Sequence, residues 1–157
     1  MNFWAVLLWG FVATVALTTT MSAAQFMHLT RMSIPYMLGT MFTADRSRAQ
    51  LLGFVLHMAN GWVFALIYAG AFESWDRATW WLGALIGLVH ALFVLFAGMP
   101  MLPAIHPRMA STTTGPTPTR LLQPPGFLAI HYGRRTAIAV VLAHLLYGGI
   151  LGAFYPR

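Results

Sequence analysis

AQLLGFVLHMANGWVFALIYAGAF, residues 49–72, is an uncharged, apolar run with a histidine inside it. A helix needs about 20 such residues to cross the hydrocarbon core of a bilayer, so the run between Arg48 and Glu73 reads as a transmembrane span. Its pattern returns near the other end of the chain. His57, Gly61, Ala65 and Tyr68 reappear as His144, Gly148, Gly152 and Tyr155, each pair 87 positions apart. A constant offset at four positions points to a duplicated two-helix unit. Gly10 and Gly87, Arg31 and Arg108, and Met32 and Met109 extend the match at an offset of 77, with ten more residues inserted between Met109 and Gly133. Such a repeat is a parallel one, related by an axis along the membrane normal.

Outward from this stretch, residues 3–27, 78–99 and 136–155 are further runs of spanning length. The chain has 157 residues, 59% of them hydrophobic and only 8% charged, where soluble domains average about 25% charged. Mean hydropathy is +0.69. The expected fold is therefore all-α, a bundle of four transmembrane helices forming one membrane-embedded domain over 1–157. Residues 3–17 followed by Ser22-Ala23-Ala24 resemble a signal peptide. The first positive charge is Arg31, however, so the basic leading region is missing and the segment reads as a retained first span.

The net charge of +6 comes from nine arginines and no lysine, against Asp45, Glu73 and Asp76. The arginines flank the apolar runs, where they meet lipid headgroups; membrane lipids, not nucleic acid, are the implied partners. Residues 28–48 carry Arg31, Arg46 and Arg48, and residues 100–135 carry Arg108, Arg120, Arg134 and Arg135. The short 73–77 turn holds Glu73, Asp76 and Arg77. The positive-inside rule places both long loops in the cytoplasm and both termini outside. Trp4, Trp75, Trp80, Trp81 and Tyr155 lie near span ends, as in interfacial aromatic belts. With no cysteine, neither disulfides nor thiolate metal sites arise.

Residues 32–43 are too short to span and too apolar for a solvated loop, which predicts an interfacial or re-entrant segment. Residues 104–126 read as a flexible loop, Ser/Thr/Pro/Gly-rich from 111 onward. Residues 127–133 read as a second piece lying on the membrane or on a partner.

Every span carries small residues four apart: Thr14, Thr18 and Ser22; Gly61, Ala65 and Ala69; Gly83, Gly87 and Ala91; Gly148 and Gly152. Such stripes let helix backbones approach in lipid. The threonine hydroxyls are expected to bond back to i−4 carbonyls. The histidines are the candidate site. His57 lies nine residues beyond Arg48 and His144 nine beyond Arg135, each about 13 Å up a helix rising 1.5 Å per residue. His90, thirteen residues from Arg77, arrives from the other side at about 10 Å from the inner face of a ~30 Å core. Asn60 is one turn from His57, and Thr18–Thr20 share its depth.

A layer of imidazoles admits several readings. The rings bond across helices and hold the bundle together; or they ligate a tetrapyrrole, haem or (bacterio)chlorophyll, with a nearby glycine leaving room for the macrocycle; or they line a proton or substrate path. On the second reading His57, His90 and His144 are the cofactor-binding residues. His28, His106 and His131 fall in the loops as interfacial polar residues, none paired at i,i+3 or i,i+4 with another ligand, and no metal site is expected. There is no His-Glu-x-x-His, no His-x-x-His-His cluster and no Gly-x-Ser-x-Gly, so catalytic residues are not expected and the chain does not read as an enzyme.

Met32-Ser-Ile-Pro-Tyr-Met-Leu-Gly39, the His57…Gly61…Tyr68 run, Gly87-Leu-Val-His90, His106-Pro-Arg-Met109 and the His144…Gly148…Tyr155 run together resemble a family of small bacterial four-helix integral membrane proteins of unknown function. The resemblance covers most of the chain except 110–125, where the Pro/Thr-rich tract departs from it. It implies a multi-pass protein of the bacterial inner membrane and brings no activity. The functional expectation is an accessory subunit packed against other integral membrane subunits of an energy-converting, respiratory or photosynthetic complex, with bound lipids and a tetrapyrrole on the histidines. The alternative is a small oligomeric transporter or channel with a histidine-lined path.

Overall fold

A computed structural model describes residues 1–156 and has no extended strand among them. Helix α1 spans Phe3–Phe26, α2 Ile34–Thr40, α3 Arg46–Ser74, α4 Trp80–Phe93, α5 Met99–Ile105 and α6 Thr136–Phe154. A π-helical turn, Val94–Gly98, joins α4 to α5, and a short 3-10 stretch, Phe127–Tyr132, precedes α6. Four helices, Phe3–Phe26, Arg46–Ser74, Trp80–Ile105 and Thr136–Phe154, are long and apolar enough to cross a membrane.

Local chemistry sets the helix ends. Asn2, Ser33, Asp45 and Thr79 cap the N-termini of α1 to α4 with side-chain oxygens, as helix starts require. Asp45 accepts from the Arg48 amide at 2.8 Å and the Ser47 hydroxyl at 2.7 Å, and these bonds hold its carboxyl below the usual range. The third span runs past its expected end at 99 to Ile105. Proline lacks the N–H an α-helix interior needs, which predicts a stop before Pro100. In the π turn the Met99 amide instead bonds Val94, one residue further back than in an α-helix. The helix restarts there, with Pro100 in its first turn, where the missing donor costs nothing.

The small-residue stripes make the helix contacts. A Cβ on Gly83 would collide with the Gly148 carbonyl, on Gly87 with the His144 carbonyl, and on Gly152 with the Thr79 carbonyl. Helices α4 and α6 thus cross backbone to backbone, the most extensive contact of the bundle. Gly10 faces Ala65 and Trp62, and Gly61 faces Thr14, at the α1–α3 crossing. Thr14, Thr18 and Thr20 donate to the carbonyls of Gly10, Thr14 and Ala16. Helix α2 folds back along the start of α3, with Gly39 against the Ala49 carbonyl and Gly53 against that of Pro35.

Trp4, Trp75, Trp80 and Trp81 are exposed at span ends. Tyr155 is not part of that belt. It is buried, its hydroxyl donating to Glu73 at 2.7 Å and accepting from the Asn2 amide at 3.0 Å. These bonds bring the two ends of the chain to one side of the bundle.

At the opposite side the long loops are tied together. His106 is fully buried rather than interfacial. Its Nδ1 accepts from the Arg108 amide at 3.1 Å, so Nε2 carries the hydrogen and donates to the Met37 carbonyl at 2.9 Å. Arg108 donates to the carbonyls of Thr40 and Met41, and Arg120 to those of Pro103 and His106. Both ends of the 104–126 segment are thereby anchored, while 112–114 and 117–119 are exposed. Further on, Arg31 bonds the His131 carbonyl through its side chain at 2.7 Å and that of Tyr132 through its amide at 2.7 Å. The Tyr132 hydroxyl donates to the Gln123 carbonyl at 2.6 Å, and burial pushes that phenol up to about 12. These bonds hold Leu128 and Ala129 at φ 55° and 56°, a left-handed conformation costing about 1–2 kcal/mol per residue.

Three substitutions test this packing by unfolding in detergent. Gly83→Leu forces α4 off α6 and should cost about 1–3 kcal/mol; Gly149→Leu, whose nearest neighbour is the Trp80 carbonyl at 3.9 Å, should cost nothing comparable. His106→Ala strips partners from the Arg108 amide and the Met37 carbonyl and should cost about 1–3 kcal/mol.

Candidate functional site

His57 of α3, His90 of α4 and His144 of α6 line one cavity of about 250 Å³ inside the bundle. Each is placed by a neighbouring crossing: His144 sits beside the α4–α6 contact at Gly87, and His57 lies one turn from Gly61 on α3. No charged side chain lines the cavity; its walls are mainly Met, Leu, Phe and Ile.

The three rings have unlike surroundings. His144 is buried, and its Nδ1–H donates to the Val140 carbonyl at 2.8 Å. That fixes the tautomer and leaves Nε2 with a lone pair. His90 stacks on Phe64 with centroids 3.8 Å apart, meets His144 edge to face at 4.6 Å, and lies 3.4 Å from the Tyr68 hydroxyl through Nδ1. His57 is buried, yet neither ring nitrogen has a hydrogen-bond partner. An orphaned imidazole in a low-dielectric interior costs about 1–3 kcal/mol, and native folds keep few such groups.

The rings share a wall without meeting at a point. Among the described residues no group of three or more His, Asp or Glu is arranged to hold a metal ion. A tetrapyrrole would take His57, or Nε2 of His144, as its axial ligand. The space does not fit one. Its volume is below the roughly 300–1,000 Å³ of pockets that bury drug-sized molecules, and His90 and His144 touch with no slot between them for a macrocycle. A single or fused planar ring is the larger object that fits.

Asn60 lines the cavity as expected from its place one turn beyond His57. It is exposed and, with Phe93, is one of two exposed residues in the cavity wall. Both lie midway along their spans, so the mouth between α3 and α4 faces hydrocarbon. An amide there without a partner costs several kcal/mol. Thr18 lies on a second cavity of about 400 Å³, which also touches His57 and is lined by Ser22, Gln25, Ser33 and Gln50; Thr20 lines neither.

Two polar residues of the main cavity escape a reading by depth alone. Thr14 contributes its side chain there, and Tyr147 reaches across from α6 to donate to the Gly61 carbonyl at 2.6 Å. Tyr147 lies three residues beyond His144, one turn along the same helix face, which is the signal that would have identified it. Met21, Met32, Met37 and Met99, buried in the same wall, carry no such signal. No family model, curated protein or solved structure matches the chain, so the sequence resemblance adds no residue to this site.

His57→Leu removes a buried group that makes no bond, and the variant should be as stable as the parent or more stable by about 1 kcal/mol. Tyr147→Phe, which loses a buried bond between α6 and α3, should cost about 1 kcal/mol. Unfolding of both in one detergent checks the contrast; a marked loss for His57→Leu would mean that the ring is held by bonds after all.

Proposed function

We propose that this chain is a non-catalytic membrane subunit that holds a small uncharged ligand in its histidine-lined cavity and serves a larger, energy-converting assembly. The carrying observation is the cavity itself: buried, apolar, free of charged groups, with an orphaned His57 inside and a mouth at mid-span between Asn60 and Phe93. General acid/base work at neutral pH calls for positioned groups of tuned pKa. The wall offers imidazole and phenol but no carboxylate to orient either as a base, and we read the cavity as a binding site. A ligand bonded to His57 would offset the cost that the bare ring leaves unbalanced.

The basic loops gather at one end of the bundle and the chain ends at the other, and by the positive-inside rule we place the loops in the cytoplasm of a bacterial inner membrane, with the termini outside. The duplicated two-helix unit belongs to the same reading and rests on the sequence offsets of 87 and 77.

A transport role is the second reading, favoured by His57 bordering both cavities, the second lined by hydroxyl and amide side chains. Flux into liposomes that is lost on His144→Leu, in a variant that still folds, would select it.

Purification from native membranes in mild detergent tests the main proposal. The chain should travel with larger integral subunits and release, on solvent extraction, an uncharged lipid-soluble molecule absent from His57→Leu preparations. A solitary chain that retains no such molecule would overturn it.

A further inference from the structure

We infer that the ligand is a quinone, its ring seated in the cavity and its isoprenoid-type tail left in the bilayer. This rests on the binding role proposed above and names the chemical class. Four observations narrow the choice. The first is charge. With no ionised side chain in the wall, a fatty-acid carboxylate or a phosphate would be buried without a counter-charge, which costs far more than the cavity returns. The ligand is neutral.

The second is the route. The exposed members of the wall are Asn60 and Phe93 at mid-span, so the ligand arrives sideways from lipid and is itself lipid-soluble. The third is size. About 250 Å³ accommodates one or two fused rings, while a sterol or macrocycle exceeds it and a long tail must remain at the mouth.

The fourth is polar complementarity. His57 offers one donor and one acceptor, unused inside the cavity, and the Asn60 amide in the same wall carries two donors. A ring with carbonyl oxygens satisfies these donors. A hydrocarbon or an acyl chain satisfies none. Phe64 and Phe93, with the thioethers of Met21 and Met99, give polarisable surfaces against which a flat π-system packs. Neutral, planar, bilayer-borne and carrying carbonyls on a small ring together describe a quinone headgroup. The inference concerns binding, and no electron transfer is assigned to the chain.

The test uses the full chain in lipid nanodiscs, titrated with radiolabelled decylubiquinone, a benzoquinone with a ten-carbon tail, with empty nanodiscs as the blank for partitioning. Saturable binding above the blank is expected. His57→Leu and Asn60→Leu should each weaken it on the order of tenfold, the effect of one buried hydrogen bond. His131→Ala, outside the cavity, should leave it unchanged, and circular dichroism checks that all variants remain helical. Binding that never saturates, or that is equal in the parent and both cavity variants, overturns the quinone assignment. If a different uncharged molecule is then extracted from the native protein, the binding role stands and only the ligand class falls; if nothing is extracted, both fall.

Discussion

Lipid gives apolar helices no hydrophobic reason to associate, so this bundle depends on how closely its backbones approach. Gly83, Gly87, Gly148 and Gly152 bring α4 and α6 so near that side chains on those faces would strike carbonyls. Dispersion at such short range, and the weak Cα–H contacts that accompany it, replace the hydrophobic drive of a soluble core. The site inherits its geometry from this crossing. Gly87 presses on the backbone at His144, and the edge-to-face contact of His90 with His144 follows from that register. A glycine stripe that looks purely structural therefore fixes where two of the three imidazoles sit.

Polar groups in the bundle divide into two economies. At the loop end His106, Arg108, Arg120, Arg31 and Tyr132 bond carbonyls of distant loops and close that end, although Nε of Arg120 is buried without a partner. The cavity is mixed: His144, Tyr147 and Thr14 are bonded to carbonyls there, whereas His57 keeps two unused nitrogens. Satisfied networks give rigidity, whereas unsatisfied groups store binding capacity. The contrast within one small protein separates its frame from its working part.

The spans were legible because hydropathy and length belong to residues and need no partner. The histidine layer was legible for a similar reason: rise per residue converts sequence distance to depth. Depth carries no azimuth, however, which is why Thr18 lines a cavity while Thr20, two residues on at similar depth, lines neither. The end of the third span was misjudged because proline was weighed without a π turn to absorb it. His106 was misread as interfacial since its partners, Met37 and Thr40, lie 69 and 66 positions away and no local pattern signals them. His57 and His144, matched in sequence, differ in bonding: His144 Nδ1 donates to the Val140 carbonyl, whereas neither nitrogen of His57 has a partner.

The pairing of α4 with α6 also bears on how the molecule is assembled. Chains leave the ribosome from the N-terminus, so α1 and α3 can find each other early, and α2 can settle once Ala49 and Gly53 have emerged. Helix α4 meets α3 through side chains, His90 against Phe64 and Tyr68, but the backbone its glycines pack against is not yet made. The helix waits in the membrane, glycine face bare, while the whole 106–135 segment is made. Arrival of the last helix then completes the contacts with α4 and α1 in one event. Truncation before residue 136 would accordingly leave the Gly83 and Gly87 face of α4 uncovered in lipid, open to capture by another small-residue helix.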